Sequence, residues 1–447
     1  MQSTSAQFTA DELENSFPLA PDRRFREPAS VSLLTTIMLG IRGSEHRQRR
    51  RSDAADRTFT ATVEALIANL AAAHMNVIDR NQYVAVSFNK NDYSGSELSH
   101  EAMATCRDYL ADLGLIDVAP GFQRPDADGI RRLGRRTRLR ATDKMRALID
   151  MSGIDRKSFT RPAKAIVQIR QPRRKGLPEP DDIADSRLLL AAINERLMST
   201  DIRLDRVMEP IQHSQLIENE GEERDALHRK RTYAGDHTAM TLYRVFKYDW
   251  RSGGRIYGGW WMSLPRAIRP YLRINGSPTV ELDYTALHPT LLYLRANTPM
   301  PADPYVDASA SSDAMRQLGK RTFNRLLNRQ EDNPIERLEL RASPGDRDVL
   351  GKVPFKQYLD TLVHRLFGIQ RWFGTGEGIR LQYEDSVLAL HVLKTMEKLD
   401  IPTLPIHDSF IVPMDHEAQL RKAMQEAFRH YGIVPKIDKK TPRVRQG

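Results

Sequence analysis

Cysteine is nearly missing from this 447-residue chain: Cys106 stands alone, which excludes an intrachain disulfide and any cysteine-based zinc cluster. Cys106 falls on an apolar helical stripe and reads as a core thiol. Long apolar runs are missing too. Ser30 to Ile41 is apolar but too short to span a bilayer, and the polar, charge-mixed start does not read as a signal peptide. A cytoplasmic location with no membrane partner is therefore expected. No internal repeat is visible. What is present is charge: 68 Lys and Arg against 58 Asp and Glu, a balance of +10 that favours polyanionic partners such as nucleic acid, with a merely basic soluble protein as the alternative. Hydrophobic residues make up 40%, enough for a sizeable core, and the length allows two or three domains.

Residues 1–55 read as a polar, basic arm around one apolar segment, ending in Arg47-Gln-Arg-Arg-Arg51, either a solvated tail or a phosphate-binding arm. Residues 56–150 read as a small separate domain. Phe59 to Met75 has helical apolar spacing through Val63, Leu66, Ile67 and Leu70. A second helix starts near Ser99, carries Met103, Cys106, Leu110 and Leu113, and ends at Gly114 in a C-cap position. A strand, Leu115-Ile-Asp-Val118, a polar tip rich in Gly, Pro and Asp, and a return strand, Thr137-Arg-Leu-Arg140, follow. This order resembles a winged helix-turn-helix module. Its tip and return strand hold Arg131, Arg132, Arg135, Arg136, Arg138 and Arg140, a density of cations suited to a nucleic-acid backbone. A protein-contact wing, or a basic hairpin with no partner, is the alternative. Residues 151–182 are basic and Pro-rich and read as a linker. From 183 to 250 the pattern is mostly helical, with one helix from Ile183 to Met198.

Two short stretches carry the chemistry. In Pro278-Thr-Val-Glu-Leu-Asp283-Tyr284, Val280 and Leu282 alternate with Glu281 and Asp283, so a strand would have one apolar and one acidic face. In Leu404-Pro-Ile-His407-Asp408-Ser409-Phe-Ile-Val412, two apolar runs flank His407-Asp408-Ser409, a hairpin with the aspartate at its turn. Two carboxylates on neighbouring strands can hold a pair of Mg²⁺ ions roughly 3.5–4 Å apart, the arrangement for in-line attack on a phosphate. A strand-end aspartate in a salt bridge is the plainer reading of Asp283 taken alone.

The second stretch resembles motif C of the family A DNA polymerases and the single-subunit, phage-type RNA polymerases; the first resembles their motif A. The resemblance runs from about Arg244 to the end. It implies an α+β fold: a right-hand-like palm and fingers over 251–447, the fingers at about 311–380, a thumb-like region over 183–250, and the winged helix in front. It implies two Mg²⁺ ions, with Mn²⁺ as a substitute, held by Asp283, Asp408 and the Tyr284 carbonyl. Gly253-Gly254-Arg255-Ile-Tyr257-Gly-Gly259 resembles the Thr-Gly-Arg segment that touches primer-template, although the threonine is absent; a Gly-rich hairpin turn is the alternative for Arg255. Trp260 and Trp261 just after it read as core.

Ser312 to Asn328 reads as a helix with Arg316, Lys320 and Asn324 on one face. Its Arg-x3-Lys spacing matches the triphosphate-binding fingers helix, and a solvated charged face is the alternative. The family has an aromatic residue four positions after that Lys and a Tyr eight after it; here they are Asn324 and Asn328. A Glu five residues after the motif A aspartate helps exclude the sugar 2′-hydroxyl in the DNA polymerases; here it is His288. The resemblance therefore implies weak discrimination against ribonucleotides. The helix beginning at Gly378 resembles the one before motif C, with Gln382 reaching primer-template, and His407 would contact the primer end or serve as a turn histidine. No early Asp-x-Glu cluster of a proofreading exonuclease is present. The expected function is template-directed nucleotidyl transfer by a DNA polymerase or primase-polymerase, in the setting of a mobile element. The expected partners are DNA primer-template, nucleoside triphosphates, RNA as an alternative template or product, and a replication protein. A non-catalytic DNA-binding replication initiator with a remnant palm, and a single-subunit RNA polymerase, are the competing readings.

Overall fold

The computed structural model of the chain describes residues 13, 16–26, 31–45, 47–76, 80–93, 96–125, 132–170, 176–205, 236–306, 312–333 and 336–440. It is a mixed α/β protein with two compact units. The first comprises Met1–Ile166, Thr232–Thr241 and Gly258–Ser263; the second comprises Val167–Arg231, Leu242–Tyr257 and Leu264–Gly447. Among the described residues no helix is long and apolar enough to cross a membrane.

The first unit runs β1 (Phe17–Pro18), β2 (Arg24–Phe25), α1 (Val31–Ser44), α2 (Asp53–His74), β3 (Val84–Val86), α3 (His100–Asp112), β4 (Ile116–Ala119), β5 (Phe122–Pro125), β6 (Arg132–Arg135), β7 (Thr137–Ala141), α4 (Asp143–Met151) and β8 (Phe159–Thr160). Helix α2 holds no Gly or Pro, and Ser52 caps it by accepting from the Ala55 amide. Asp53 and Asp56 face the positive end of its dipole. Its second half is buried on every side, including Asn69, whose amide satisfies the Ala20 backbone and the Ala65 carbonyl. Leu33, Ile37, Met38 and Ile41 of α1 enter the same core, so the apolar segment of the expected arm is part of the domain. Ser99 caps α3, Cys106 is buried on it, and Gly114 after its end has φ +67. The strands form a sheet in the order β1-β3-β7-β4, and β5 and β6 make a separate ribbon between β4 and β7. Trp260 and Trp261 are buried, as expected of core residues.

The second unit continues with β9 (Val167–Ile169), α5 (Asp181–Ser199), β10 (Ile202–Leu204), β11 (Tyr243–Phe246), β12 (Gly253–Tyr257), β13 (Leu272–Ile274), β14 (Ser277–Tyr284), α6 (Leu287–Ala296), α7 (Asp313–Asn328), α8 (Pro344–Leu350), α9 (Phe355–Arg365), α10 (Gly378–Lys398), β15 (Leu404–Ile406), β16 (Ser409–Pro413), α11 (Glu417–Ala427) and β17 (Ile437–Lys440). Its main sheet has the order β10-β13-β14-β16-β15, with β17 also paired to β14. A smaller sheet, β12-β11-β9, packs with α10. The segment expected as a linker thus supplies strands to both units: β8 pairs with β2, and β9 pairs with β11. Of the expected thumb-like region, residues 206–235 lie outside the described residues, as do residues 171–175 of the basic stretch.

Strand β14 is buried on both faces over Thr279–Leu282. Tyr284 turns toward α11, its hydroxyl donating to the Met424 carbonyl at 2.7 Å. The opposite face is acidic, as the alternation predicts, but it is not solvated. Glu281 is 9% exposed, accepts from the Ser409 hydroxyl at 2.8 Å and pairs with Arg269 at 3.2 Å. A buried carboxylate needs such partners to offset its lost hydration.

Candidate functional site

Asp283 lies near the C-terminal end of β14, and His407 and Asp408 form the two-residue turn between β15 and β16. β14 and β16 pair antiparallel with Asp283 opposite Ser409, so Asp408 is one residue from the register partner of Asp283. The Tyr284 amide donates to the Asp408 carbonyl at 3.3 Å. Burial, then the negative charge of Asp408, pushes the Asp283 carboxyl up to about 6, while Lys440 and Lys320 oppose the rise. Lys440 is ion-paired with Asp283 Oδ2.

The backbone on both sides of this pair is strained. Five non-glycine residues among those described have positive φ; three are Asn275, Asn297 and Asp400, types that tolerate the left-handed region. The other two, Ala286 (φ 53) and His407 (φ 57), flank the carboxylates. Such a conformation costs on the order of 1–3 kcal/mol per residue and tends to be retained where a site requires it. Among the described residues, His407 Nδ1 and Thr285 Oγ1 are also buried with no hydrogen-bond partner.

Helix α10 builds the floor. Asp385 is 1% exposed, and its Oδ2 accepts from Arg255 Nε at 2.8 Å and pairs with Nη2 at 2.7 Å. His288 Nε2 stands 3.9 Å from the same oxygen. Burial drives the Asp385 carboxyl up and Arg255 works against it; Asp408 and Asp283 add to the rise, so all three acids share one field. Burial and the Arg255 charge lower His288 to about 4 and lower His407 as well, which keeps both imidazoles neutral at pH 7. Arg255 is held at its place by the paired glycines before it. Gly254 has φ +82, and a Cβ there would meet the Phe246 ring at 2.7 Å. Beneath it, the buried Arg244 donates to the Gly254 carbonyl (2.8 Å), Ser186 (3.2 Å) and Ser386 (2.7 Å), tying β11, the turn, α5 and α10 together.

Helix α7 begins at its Ser312 cap and buries Leu318, Phe323, Leu326 and Leu327. Arg316 pairs with Asp303 at 2.6 Å and lies over the Tyr305 ring at 5.4 Å. Arg325 and Arg321 pair with Asp346 at 2.9 and 3.8 Å. Lys320 is exposed, has no ion-pair partner among the described residues, and is close enough to lower both Asp283 and His288.

No protein-family model matches the chain, and no curated protein matches it.

Asp283, Asp408, Arg255, His288, His407 and Lys320 thus share one neighbourhood. Asn324 and Asn328 are exposed, and the Asn328 amide donates to the Asn324 carbonyl at 2.8 Å. Gln382 is half-buried one helical turn before Asp385. Arg316 is engaged with Asp303, Arg321 and Arg325 are near Asp346, and Lys320 is the cation of α7 with no ion-pair partner among the described residues. In the first unit, Arg140 pairs with Asp117 at 3.0 Å, Arg138 Nε donates to the Leu13 carbonyl at 2.8 Å, Arg136 pairs with Asp92 at 3.3 Å, and Arg135 lies over the Phe122 ring at 5.3 Å. Arg131 and the Arg132 side chain lie outside the described residues.

Three participants were not singled out from the sequence. Asp385 could have been found as the carboxylate interrupting the apolar face Leu381–Leu388–Ala389 of α10. Glu281 was visible in the alternation of β14 but had no signal for burial. Lys440 had none, because its role arises from a long-range strand pairing.

The donor set suits a hard divalent cation. Among the described residues no group of three or more His, Cys, Asp or Glu side chains forms a metal cage. Mg²⁺, however, is commonly held by only one or two carboxylates plus substrate phosphates and water. Asp283 and Asp408 supply such a pair, burial and then the charge of Asp408 already raise Asp283, and the Tyr284 side chain is committed to Met424, leaving its carbonyl as the oxygen available to a cation.

Proposed function

We propose that the chain is a template-directed nucleotidyltransferase, a DNA polymerase or primase-polymerase, whose second unit is a palm with fingers and whose first unit is a winged helix-turn-helix domain. One observation supports the reading: of the two carboxylates expected from separate sequence stretches, Asp283 lies on β14 and Asp408 in the turn that opens its partner strand β16, with His288, His407 and an exposed lysine near them.

Asp283 and Asp408 would hold two Mg²⁺ ions, whose charge would favour attack of a primer 3′-hydroxyl on the α-phosphate of an incoming nucleotide, the bond to the β-phosphate breaking as pyrophosphate leaves and the hydroxyl proton passing to water. Lys320, exposed, with no ion-pair partner among the described residues and close enough to lower Asp283, would bind the outer phosphates as a mobile point charge. Arg255, braced by Asp385, presents its remaining donors to primer-template. His407, whose Nδ1 is buried with no hydrogen-bond partner among the described residues, would present its imidazole to the primer end. His288, part-buried near Asp385, and Asn328 stand at the positions of the family's sugar-gating Glu and Tyr and do not reproduce that steric gate, so a 2′-hydroxyl would be only weakly excluded. In the first unit, the order α2–β3–α3–β4–ribbon–β7, with β7 between β3 and β4, supports the winged-helix reading.

Primer extension with Mg²⁺ tests this. Asp283→Asn and Asp408→Asn should each abolish incorporation and leave primer-template binding within about threefold of wild type, because an amide cannot hold the divalent pair. Near-normal extension by either variant removes the reading. A wild-type protein that binds DNA tightly but extends no primer would favour an initiator role instead.

A further inference from the structure

The C-terminal strand β17 brings a cation to the carboxylate pair. β17 pairs antiparallel with β14, with Lys440 opposite Glu281 and Asp438 opposite Asp283. Lys440 would meet Glu281 first, but Glu281 is already satisfied by Ser409 and Arg269. Diagonal cross-strand neighbours are within reach of a long side chain, and Lys440 reaches diagonally to Asp283. Its neighbour Lys439 faces the other way and pairs with Glu417 at 2.6 Å. Two consecutive lysines therefore serve opposite faces of the sheet, and only one is aimed at the acids. Like charges directly opposite one another in a sheet are destabilising, and Asp283 faces both Asp438 across the strands and Asp408 at the turn.

We propose that Lys440 is a tethered stand-in cation: its ammonium holds Asp283 when the carboxylate pair carries no divalent ion and is displaced when the ions bind. The inference rests on the nucleotidyl-transfer reading, in which Asp283 is a metal ligand. One ammonium compensates one carboxylate; a divalent ion compensates two, so the exchange is favourable but opposed by the pair it breaks. The side chains are 24% and 17% exposed, which leaves the ammonium a route to solvent. The device keeps the strained strand end and the turn together between catalytic cycles and weakens ion affinity in return.

The test is a Mn²⁺ titration at pH 8, without nucleotide or DNA, reading free Mn²⁺ by electron paramagnetic resonance. Lys440→Met should bind Mn²⁺ roughly three- to tenfold more tightly than wild type, the factor expected for release of a part-buried ion pair. Lys440→Arg, which keeps the charge, should stay near wild type, and Asp283→Asn should bind most weakly. Lys440→Gln repeats the measurement if the methionine variant melts early. Unchanged or weaker binding by both neutral variants, with Asp283→Asn still impaired, overturns the stand-in role and leaves the metal site intact. Equal binding by wild type, Lys440→Met and Asp283→Asn removes the metal site itself, and with it the nucleotidyl-transfer reading.

Discussion

Replacing Asp385 with asparagine tests how the floor of the site positions Arg255. The change keeps the shape of the side chain and one carbonyl acceptor but removes the charge that receives Arg255 Nε at 2.8 Å and Nη2 at 2.7 Å. Charge-assisted hydrogen bonds contribute on the order of 1.5–3 kcal/mol. Alanine would cost more, toward about 3–5 kcal/mol for a broken buried pair. Because the Arg255 side chain is 22% exposed, water reaches the stranded guanidinium and the lower end applies. At about 2–4 °C per kcal/mol for a domain of this size, Asp385→Asn should lower the melting temperature by roughly 3–6 °C. Primer-template affinity should fall about tenfold, near 1.4 kcal/mol, as Arg255 loses its orientation. Nucleotide KM should change little, since Lys320 is untouched. Differential scanning calorimetry and fluorescence anisotropy measure the two effects. In an Arg255→Met background the Asn substitution should lose most of its effect on binding, a coupling of about 0.5–3 kcal/mol. A melting temperature and affinity both equal to wild type would show that the pair orients nothing.

Further outcomes follow from the same geometry. Lys320→Ala should raise nucleotide KM or lower kcat by about 1.5–3 kcal/mol in kcat/KM, with primer-template affinity kept; Arg316→Ala should do less to kcat/KM and more to the melting temperature, because Arg316 already pairs with Asp303. Equal effects of the two variants on kcat/KM would count against the assignment. Incorporation should fall as the pH drops through about 6, where Asp283 takes up a proton, and a rate flat to pH 5 would contradict this. The sign for stability is the reverse: this raised carboxyl holds a proton that the unfolded chain has already lost, so its contribution without metal is present at low pH and is lost as the pH rises from about 4 to 6. In the first unit, Arg135→Glu with Arg136→Glu should weaken DNA binding and lower the log–log salt slope by roughly 0.7–0.9 per lost contact. Unchanged affinity and slope would turn the wing toward a protein partner. Arg138 and Arg140 are poorer probes, since the Leu13 carbonyl and Asp117 already engage them.

Local structure was legible in the residues. Helices α3, α5, α7 and α10 begin within a few residues of where periodicity and capping put them, because the Ser99 and Ser312 caps and the Gly114 stop act within one turn of chain, whereas α2 starts at Asp53, six residues before Phe59. The two aspartates could be picked out for the same reason: a strand-end carboxylate and a polar turn between apolar runs are short-range patterns. The mixed α/β character follows from them.

Pairing and burial were decided only by the tertiary structure. Nothing local says that β14 meets β16 in the register that brings Asp283 beside Asp408, or that β17 returns to β14 with a lysine. The acidic face of β14 reads as solvated until Arg269 and Ser409 are brought to Glu281, and Asp385 reads as an ordinary helix residue until Arg255 closes on it from β12. The arginines of the wing and of α7 look equivalent in sequence, yet Asp117, Asp303 and Asp346 engage some of them and leave Lys320 exposed. Periodicity reports which way a side chain points along its own element. Which charge it meets depends on elements tens to hundreds of residues away.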